Sequence, residues 1–453
     1  MKPLGLLYTG NCLEVLKSIP DESVQCCITS PPYYGLRDYR ICGCRQGRVP
    51  SKTSTMTSSQ AGTPSEFGPS DPACPKCAGT GYTSGLESIW GGAPGCIHSF
   101  VMSFRRIQSG RTQNGAQDPV QTSVESGMCT LCDAWFGCLG NEPTPEMYVR
   151  HITEICQEVY RSLRQDGTFW LNLGDSYRVG KQLLGIPWRV AFSLQDAGWI
   201  LRQDIVYSKR NPMPESITDR CVRSHEYVFL LTKSPEYYFD HIAIHEPAVE
   251  YAKGRRSVSL GNKSLSKAQA VGGGVPASGN ALKDVVGLAS TRNKRSVWTL
   301  SSQPSKIAHF AAFPEALVTP MILAGTSEHG ACSECRTPYK RIIRKDTENL
   351  SNAAIAGSVI TGKGHPSDQV REDHDIRNGP VSTITTIGWE KKCACVGIGI
   401  VPCDILDPFS GTATTGKVAL ENGRCYTGID ANSAYTEAAR NRLVSVGLDV
   451  EVL

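Results

Sequence analysis

No segment of this 453-residue chain approaches the roughly 20 continuous apolar residues that a membrane-spanning helix needs. The opening residues, MKPLGLLYTGN, also lack the apolar stretch of a secretory signal, so a cytosolic protein is expected. Charge is sparse. Asp, Glu, Lys and Arg supply only 20% of the residues, and a formal net charge of +4 marks out no partner by bulk electrostatics. The 19 cysteines are too few for a disulfide scaffold, and disulfides would not persist in a reducing compartment. The hydrophobic fraction of 40% still supports sizeable cores, which excludes wholesale disorder. The length allows two to three domains at roughly 100–200 residues each.

What is present is an alternation of strand and helix signals. Leu4–Tyr8 is a short apolar run, and Asn11 can cap a helix with apolar positions Cys12, Leu13, Val15, Leu16 and Ile19. Pro20-Asp21 ends that helix, and Val24–Thr29 reads as a buried strand. After Pro145, residues Ile152, Ile155, Cys156, Val159, Tyr160 and Leu163 follow helical spacing. A turn at Asp166-Gly167, a strand Thr168–Leu173, a helix Ile186–Ala197 stopped by Gly198, and strands Trp199–Tyr207 and His225–Leu231 come next. Pro314 opens a helix to about Ala324, and the polar residues 346–386 predict a loop. The C-terminal part reads as strand Asp404–Asp407, helix Gly416–Asn422, strand Cys425–Ile429 and helix Ala434–Val446. This pattern predicts an α/β, Rossmann-like fold with a mostly parallel sheet. Residues 41–137 interrupt it with a Ser, Thr, Pro and Gly-rich stretch and most of the paired cysteines, and read as an inserted module.

Three cysteine constellations have metal-ligand spacing. Cys332-x2-Cys335 with Cys393-x-Cys395 resembles a zinc ribbon split by a long loop, the insertion spanning about 330–397. Cys96-x-His98 with Cys129-x2-Cys132, and Cys42-x-Cys44 with Cys74-x2-Cys77, give two further sets. Such sets can close on a tetrahedral Zn2+, so two to three structural zinc ions are expected. Spacing leaves the pairing of half-sites open, and Cys138 is a spare candidate ligand. Cys12, Cys26, Cys27, Cys156, Cys221, Cys403 and Cys425 read as core, and His151, His225, His241 and His245 as packing or surface residues. Tyr251–Leu300 carries nine Lys or Arg against one acid, Asp284, a composition suited to a polyphosphate partner.

Two turns carry chemistry. The first is Asp407-Pro408-Phe409-Ser410-Gly411-Thr412-Ala413-Thr414, between a strand and a helix. Gly411 lets backbone approach a ligand, and the helix start offers free amide donors. Asp430 ends the next strand, where an acid can accept the hydroxyls of a ribose. The second turn is Ser30-Pro31-Pro32-Tyr33, directly after the strand Val24–Thr29. Its prolines remove amide donors, so carbonyls and the Ser30 hydroxyl face the site as acceptors beside a flat ring. Acceptors beside a stacking ring suit an aromatic ligand that bears an NH2 group.

Together the turns resemble the motifs of the β-class DNA amino-methyltransferases, which use S-adenosylmethionine. The family's [DNS]-P-P-[YFW] is here Ser30-Pro31-Pro32-Tyr33, and its D-P-F-x-G-x-G-T is Asp407 to Thr414, with Ala413 in place of the second glycine. The catalytic motif precedes the cofactor motif, the circularly permuted order of that class. The resemblance extends through Tyr8–Asn11, Asp166–Tyr177, Pro212–Arg220, Glu226–Lys233 and His309–Glu315, about two thirds of the chain. It implies a methyltransferase sheet whose catalytic half is 1–40 with 138–245 and whose cofactor half is 301–453. A zinc module at 41–137 would be inserted within the catalytic half, and a basic target-recognition segment at 246–300 would lie between the two halves.

The resemblance further implies a flipped-out base stacked on Tyr33, its amine held by Ser30 Oγ and the Pro31 carbonyl beside Pro32. Asn11, Cys12, His309, Phe310, Asp407, Pro408, Phe409, Gly411, Thr412, Thr414 and Asp430 would bind the cofactor. Ser before Pro-Pro accompanies cytosine N4 in the family more than adenine N6, so cytosine is expected. Double-stranded DNA is the implied partner, with a cognate restriction endonuclease as a candidate second one, in a prokaryotic or phage-encoded setting. The alternatives are an adenine-N6 enzyme, an RNA or protein amine methyltransferase, and a zinc-dependent DNA-binding protein with an inactive methylase core.

Overall fold

The computed structural model describes residues 3–35, 88–93, 96–108, 121–178, 180–212, 214–247, 291–301, 313–349, 380–397 and 399–453. The chain divides into two units. One comprises Met1–Ala243, Arg295–Lys340 and Lys391–Leu453, and the other Ile244–Lys294 and Arg341–Glu390.

A nine-stranded sheet runs through the first unit. Its strands are β1 (Gly5–Thr9), β2 (Val24–Thr29), β3 (Leu163–Leu173), β4 (Ile200–Lys209), β5 (His225–Thr232), β6 (Val297–Leu300), β7 (Asp404–Asp407), β8 (Cys425–Asp430) and β9 (Val450–Val452). They lie in the order β6-β4-β5-β3-β2-β7-β8-β1-β9. Only β5 runs against its neighbours, β3 and β4; every other pairing is parallel. The helices are α1 (Cys12–Ser18), α2 (Pro145–Ser162), α3 (Ile186–Asp196), α4 (Glu315–Gly325), α5 (Thr414–Glu421) and α6 (Ser433–Ser445).

Local chemistry explains these elements. All six residues of β2 are buried, as expected for a central parallel strand covered on both faces. Asn11 caps α1 by accepting from Leu13 N at 2.8 Å. α2 turns Tyr148, Ile152, Ile155, Cys156 and Val159 into the main core. Part of the insertion adds a four-stranded antiparallel sheet ordered Ser88–Trp90, Trp135–Gly137, Gln121–Cys129, Phe100–Gln108. Among the described residues no helix is long and apolar enough to cross a membrane.

The structure corrects three sequence readings. Asp166-Gly167 is not a turn but lies within β3, and the β2 register shifts between Val24 and Cys26 to accommodate it. Gly167 is there for space: a Cβ would lie 2.7 Å from Leu163 Cγ and 3.0 Å from the Gln25 carbonyl. The polar stretch 346–386 is not wholly loop, because Lys340–Asn349 and Pro380–Glu390 form a two-stranded sheet. β-branched residues such as Ile342, Ile343, Thr383 and Ile387 sustain those strands despite their polarity. Residues 350–379 lie outside the described residues. Finally, Cys221 is exposed in the β4–β5 connection and Cys425 is half-buried, so neither is a core thiol; Cys12, Cys26, Cys27, Cys156 and Cys403 are buried.

Ala413, at the start of α5, adopts a left-handed backbone (φ 56°, ψ 48°) and is fully buried. Its methyl group carries the strain that glycine would avoid, while filling core space. Ala413→Gly should therefore leave the melting temperature nearly unchanged. Ala413→Val should lower stability by about 2 kcal/mol or more in thermal denaturation, because a β-branched residue fits neither the backbone nor the space.

Candidate active site

β2 and β7 are neighbours in parallel register, Cys26 opposite Ile405 and Cys27 opposite Leu406. From β2 the sheet continues to β3 on one side, and from β7 to β8 on the other. Such a reversal opens a crevice beyond the carboxyl ends of the strands, and both motif turns stand there.

One side chain ties the two turns together. Thr29 Oγ1, the last residue of β2, donates to Asp407 Oδ1 at 2.6 Å. Asp407 Oδ2 accepts from Thr415 Oγ1 at 2.7 Å, and Oδ1 accepts from Phe409 N at 3.1 Å. Burial pushes the Asp407 carboxyl up to about 6, against the pull of those three hydrogen bonds. Asp407 thus braces the turns from beneath, and the cavity lining begins at Pro408.

The cavity has a volume of about 140 Å3. Ser30, Pro31, Pro32 and Tyr33 line one side; Pro408, Phe409, Gly411, Thr412 and Thr414 line another. Asn11, Cys12, Asp430 and Tyr435 close it, joined by Trp90 and Leu139 from the inserted region and its return. Gly411 turns with a positive φ of 52°. Asp430 sits at the end of β8, opposite Thr9 of β1. Its two oxygens accept from Gly411 N at 2.9 Å and Asn432 N at 2.8 Å. Burial raises its carboxyl to about 6, and Asp407 adds to the rise. His309 and Phe310 lie outside the described residues.

The Ser30–Tyr33 turn is held from several directions. Tyr148 Oη donates to the Pro32 carbonyl at 2.8 Å. The Tyr33 ring packs so close to Gly174 that a Cβ there would lie 2.6 Å from it. Tyr33 Oη donates to Glu226 Oε2 at 2.9 Å and receives Asn172 Nδ2 at 2.8 Å, while Glu226 is ion-paired to Lys209. The sequence resemblance spans Asn172 and Glu226 without giving either a role, and only the β3–β5–β4 pairing brings them beneath Tyr33. Glu315, at the start of α4, binds Lys417 and Arg442, both at 2.9 Å, and Arg442 also reaches Thr414 Oγ1 at 3.0 Å. This clamp fixes α5 and α6 behind the Asp407–Thr414 turn.

Two of the three cysteine constellations come together as grouped by spacing. The ligand atoms of Cys96, His98, Cys129 and Cys132 lie within 4.8 Å of one another, as do those of Cys332, Cys335, Cys393 and Cys395. Cys42, Cys44, Cys74 and Cys77 lie outside the described residues. Cys138 is in neither cluster; it is buried in the cavity wall.

Against known proteins, the chain matches the DNA methylase family of N6 and N4 enzymes over residues 24–332 and 404–441. It is 26% identical to the Type II methyltransferase M.XycI of Xanthomonas campestris pv. cyanopsidis, across 96% of this chain and 87% of that one. It is 30% identical to the Type II methyltransferase M.SfiI of Streptomyces fimbriatus, across 66% of this chain and 79% of that one. The solved PvuII cytosine-N4-specific DNA methyltransferase aligns over 97% of this chain and 88% of that one, at 14% identity and a TM-score of 0.45. With both motif turns set around one cavity and the family match running through both, the chain belongs to the DNA amino-methyltransferases that use S-adenosylmethionine.

Proposed function

We propose that this protein methylates the N4 amine of cytosine at a specific site in double-stranded DNA. The observation that carries the reading is Ser30, which lines the same cavity as the cofactor turn. The Pro32 carbonyl is taken by Tyr148, whereas the Pro31 carbonyl accepts no hydrogen bond from the described residues. Ser30 Oγ and the Pro31 carbonyl would therefore receive the two N–H groups of a flipped-out amine. Holding both protons draws the nitrogen lone pair out of the ring as it attacks. Tyr33 would stack on the base, worth roughly 1–3 kcal/mol on comparable platforms.

The cavity lining suits S-adenosylmethionine: Asp430 to accept from the ribose hydroxyls, backbone at Gly411 and Thr412, and the rings of Phe409 and Tyr435. When bound it supplies an activated methyl group, and the protein's task is alignment of amine and methyl in one line. The basic segment Tyr251–Leu300 would meet DNA phosphates; its residues 251–290 lie outside the described residues, and Arg292 is paired with Glu246 at 2.9 Å. Since the relatives named above are Type II methyltransferases, a cognate restriction endonuclease is the proposed second partner.

Zinc would be structural at both cysteine clusters. Their ligand atoms already converge, and the Cys132 thiol and His98 Nδ1 stand 3.2 Å apart. The Cys332 cluster sits at the amino ends of β2 and β3: Gln25 Nε2 donates to the Arg336 carbonyl at 2.9 Å and Arg164 Nη1 to the Cys335 carbonyl at 2.6 Å. That is the end of the sheet opposite the cavity. Elemental analysis should return at least two zinc per chain, and chelation should lower the melting temperature. Less than one zinc per chain would contradict this assignment.

Two further outcomes follow. Nucleosides from DNA treated with the protein and S-adenosylmethionine should contain N4-methylcytosine by mass spectrometry, and Ser30→Ala should abolish it while cofactor binding persists. N6-methyladenine instead would move the target to adenine. Asp430 accepts ribose best as the carboxylate, so cofactor affinity should fall as pH drops through about 6. Asp430→Asn should weaken binding at pH 7.5 by roughly 1–3 kcal/mol and remove that pH dependence in calorimetry.

A further inference from the structure

We propose that Glu226, paired with Lys209, sets the direction of the hydrogen bonds in the catalytic turn, so that Ser30 meets its target as an acceptor. The proposal rests on the reading that Ser30 receives the amine of the target base. It makes Glu226 and Lys209 positioning residues that act through Tyr33.

The direction follows from counting protons. A carboxylate only accepts, and an amide NH2 only donates. Tyr33 has one hydroxyl proton, and it points to Glu226 Oε2 at 2.9 Å. Its oxygen then accepts from Asn172 Nδ2 at 2.8 Å and from Ser30 Oγ at 3.2 Å. Ser30 has spent its only proton on Tyr33, and Asn172 Nδ2, which also reaches Glu226 Oε2 at 3.0 Å, stands 3.4 Å from Ser30 Oγ, so the remaining lone pair is what Ser30 offers to the cavity. A base with an exocyclic NH2 satisfies that lone pair, and a base with a carbonyl at the same place does not.

Lys209 keeps the arrangement from reversing. Burial disfavours the Glu226 carboxylate, but the Lys209 charge and the bonds from Lys209, Asn172 and Tyr33 outweigh it and hold the carboxyl below its usual range. A neutral amide at this position would turn its oxygen to Lys209 and its NH2 toward Tyr33. Tyr33 would then donate to Ser30, and Ser30 would present a proton to an amine that has only protons to give.

The test is a set of single-turnover and steady-state measurements on the full-length protein with duplex DNA. Glu226→Gln should lower kcat by about 10- to 100-fold with little change in KM for DNA or S-adenosylmethionine. Tyr33→Phe, which removes only the hydroxyl, should show a loss of similar size and covers the case in which Glu226→Gln does not fold. The double variant should be no slower than the slower single one, because both break the same chain. A Glu226→Gln rate within twofold of wild type, or losses that multiply in the double variant, would overturn the proposal. If Ser30→Ala in the same panel abolished transfer, only this proposal would fall; if Ser30→Ala kept the wild-type rate, the reading of the turn would fall with it.

Discussion

The hydrogen bond from Thr29 to Asp407 is the join on which the rest of the site depends. It links the ends of two adjacent parallel strands, each leading into one of the two motif turns. Asp407 carries three hydrogen bonds while buried, and a bond to a buried charged group contributes about 1.5–3 kcal/mol. Because the chain reaches these strands almost 380 residues apart in sequence, no local interaction could set their relative height. The height of the Ser30 turn against the Gly411 turn is therefore set by sheet register and by this one bond.

The surrounding structure stiffens that join from every side. Tyr148 holds the Pro32 carbonyl, and Glu315 ties α4 to the helices behind the cofactor turn. The inserted region supplies a wall. Its Trp90 and Trp135 sandwich His151 at 5.7 Å each, and His151 meets the buried Glu142, whose other oxygen accepts from Gly140 N. Gly140 in turn lies against Pro32 and Tyr33, where a side chain would come within 3.3 Å of both. The cluster of Cys96, His98, Cys129 and Cys132 lies at the end of the same small sheet, so metal there would order a wall of the cavity.

The parts of this arrangement that were legible in the sequence are those written in local pattern. Asn11 announced α1, the composition of Val24–Thr29 announced β2, and cysteine spacing put together the two sets of four ligand residues that converge. Glu226 and Lys209 were not legible, because their role depends on β5 running antiparallel between β3 and β4. Asp407 reads as a ligand-binding acid in its motif, yet its carboxylate points to Thr29 and Thr415. A sequence shows which residues stand near a turn but not which way a buried carboxylate faces. The Asp166-Gly167 pair misled for a similar reason: the glycine answers a close approach by Leu163, not a change of chain direction.

The most direct test of the join is the single-turnover methyl-transfer rate of Thr29→Val, measured with cofactor affinity on the same protein. Valine keeps the size of threonine and removes only the hydroxyl that reaches Asp407. If the bond sets the height of one turn against the other, the rate should fall by about 10- to 100-fold while cofactor affinity changes little, since small misplacements cost that much. A wild-type rate in Thr29→Val would show that the two turns are aligned without it.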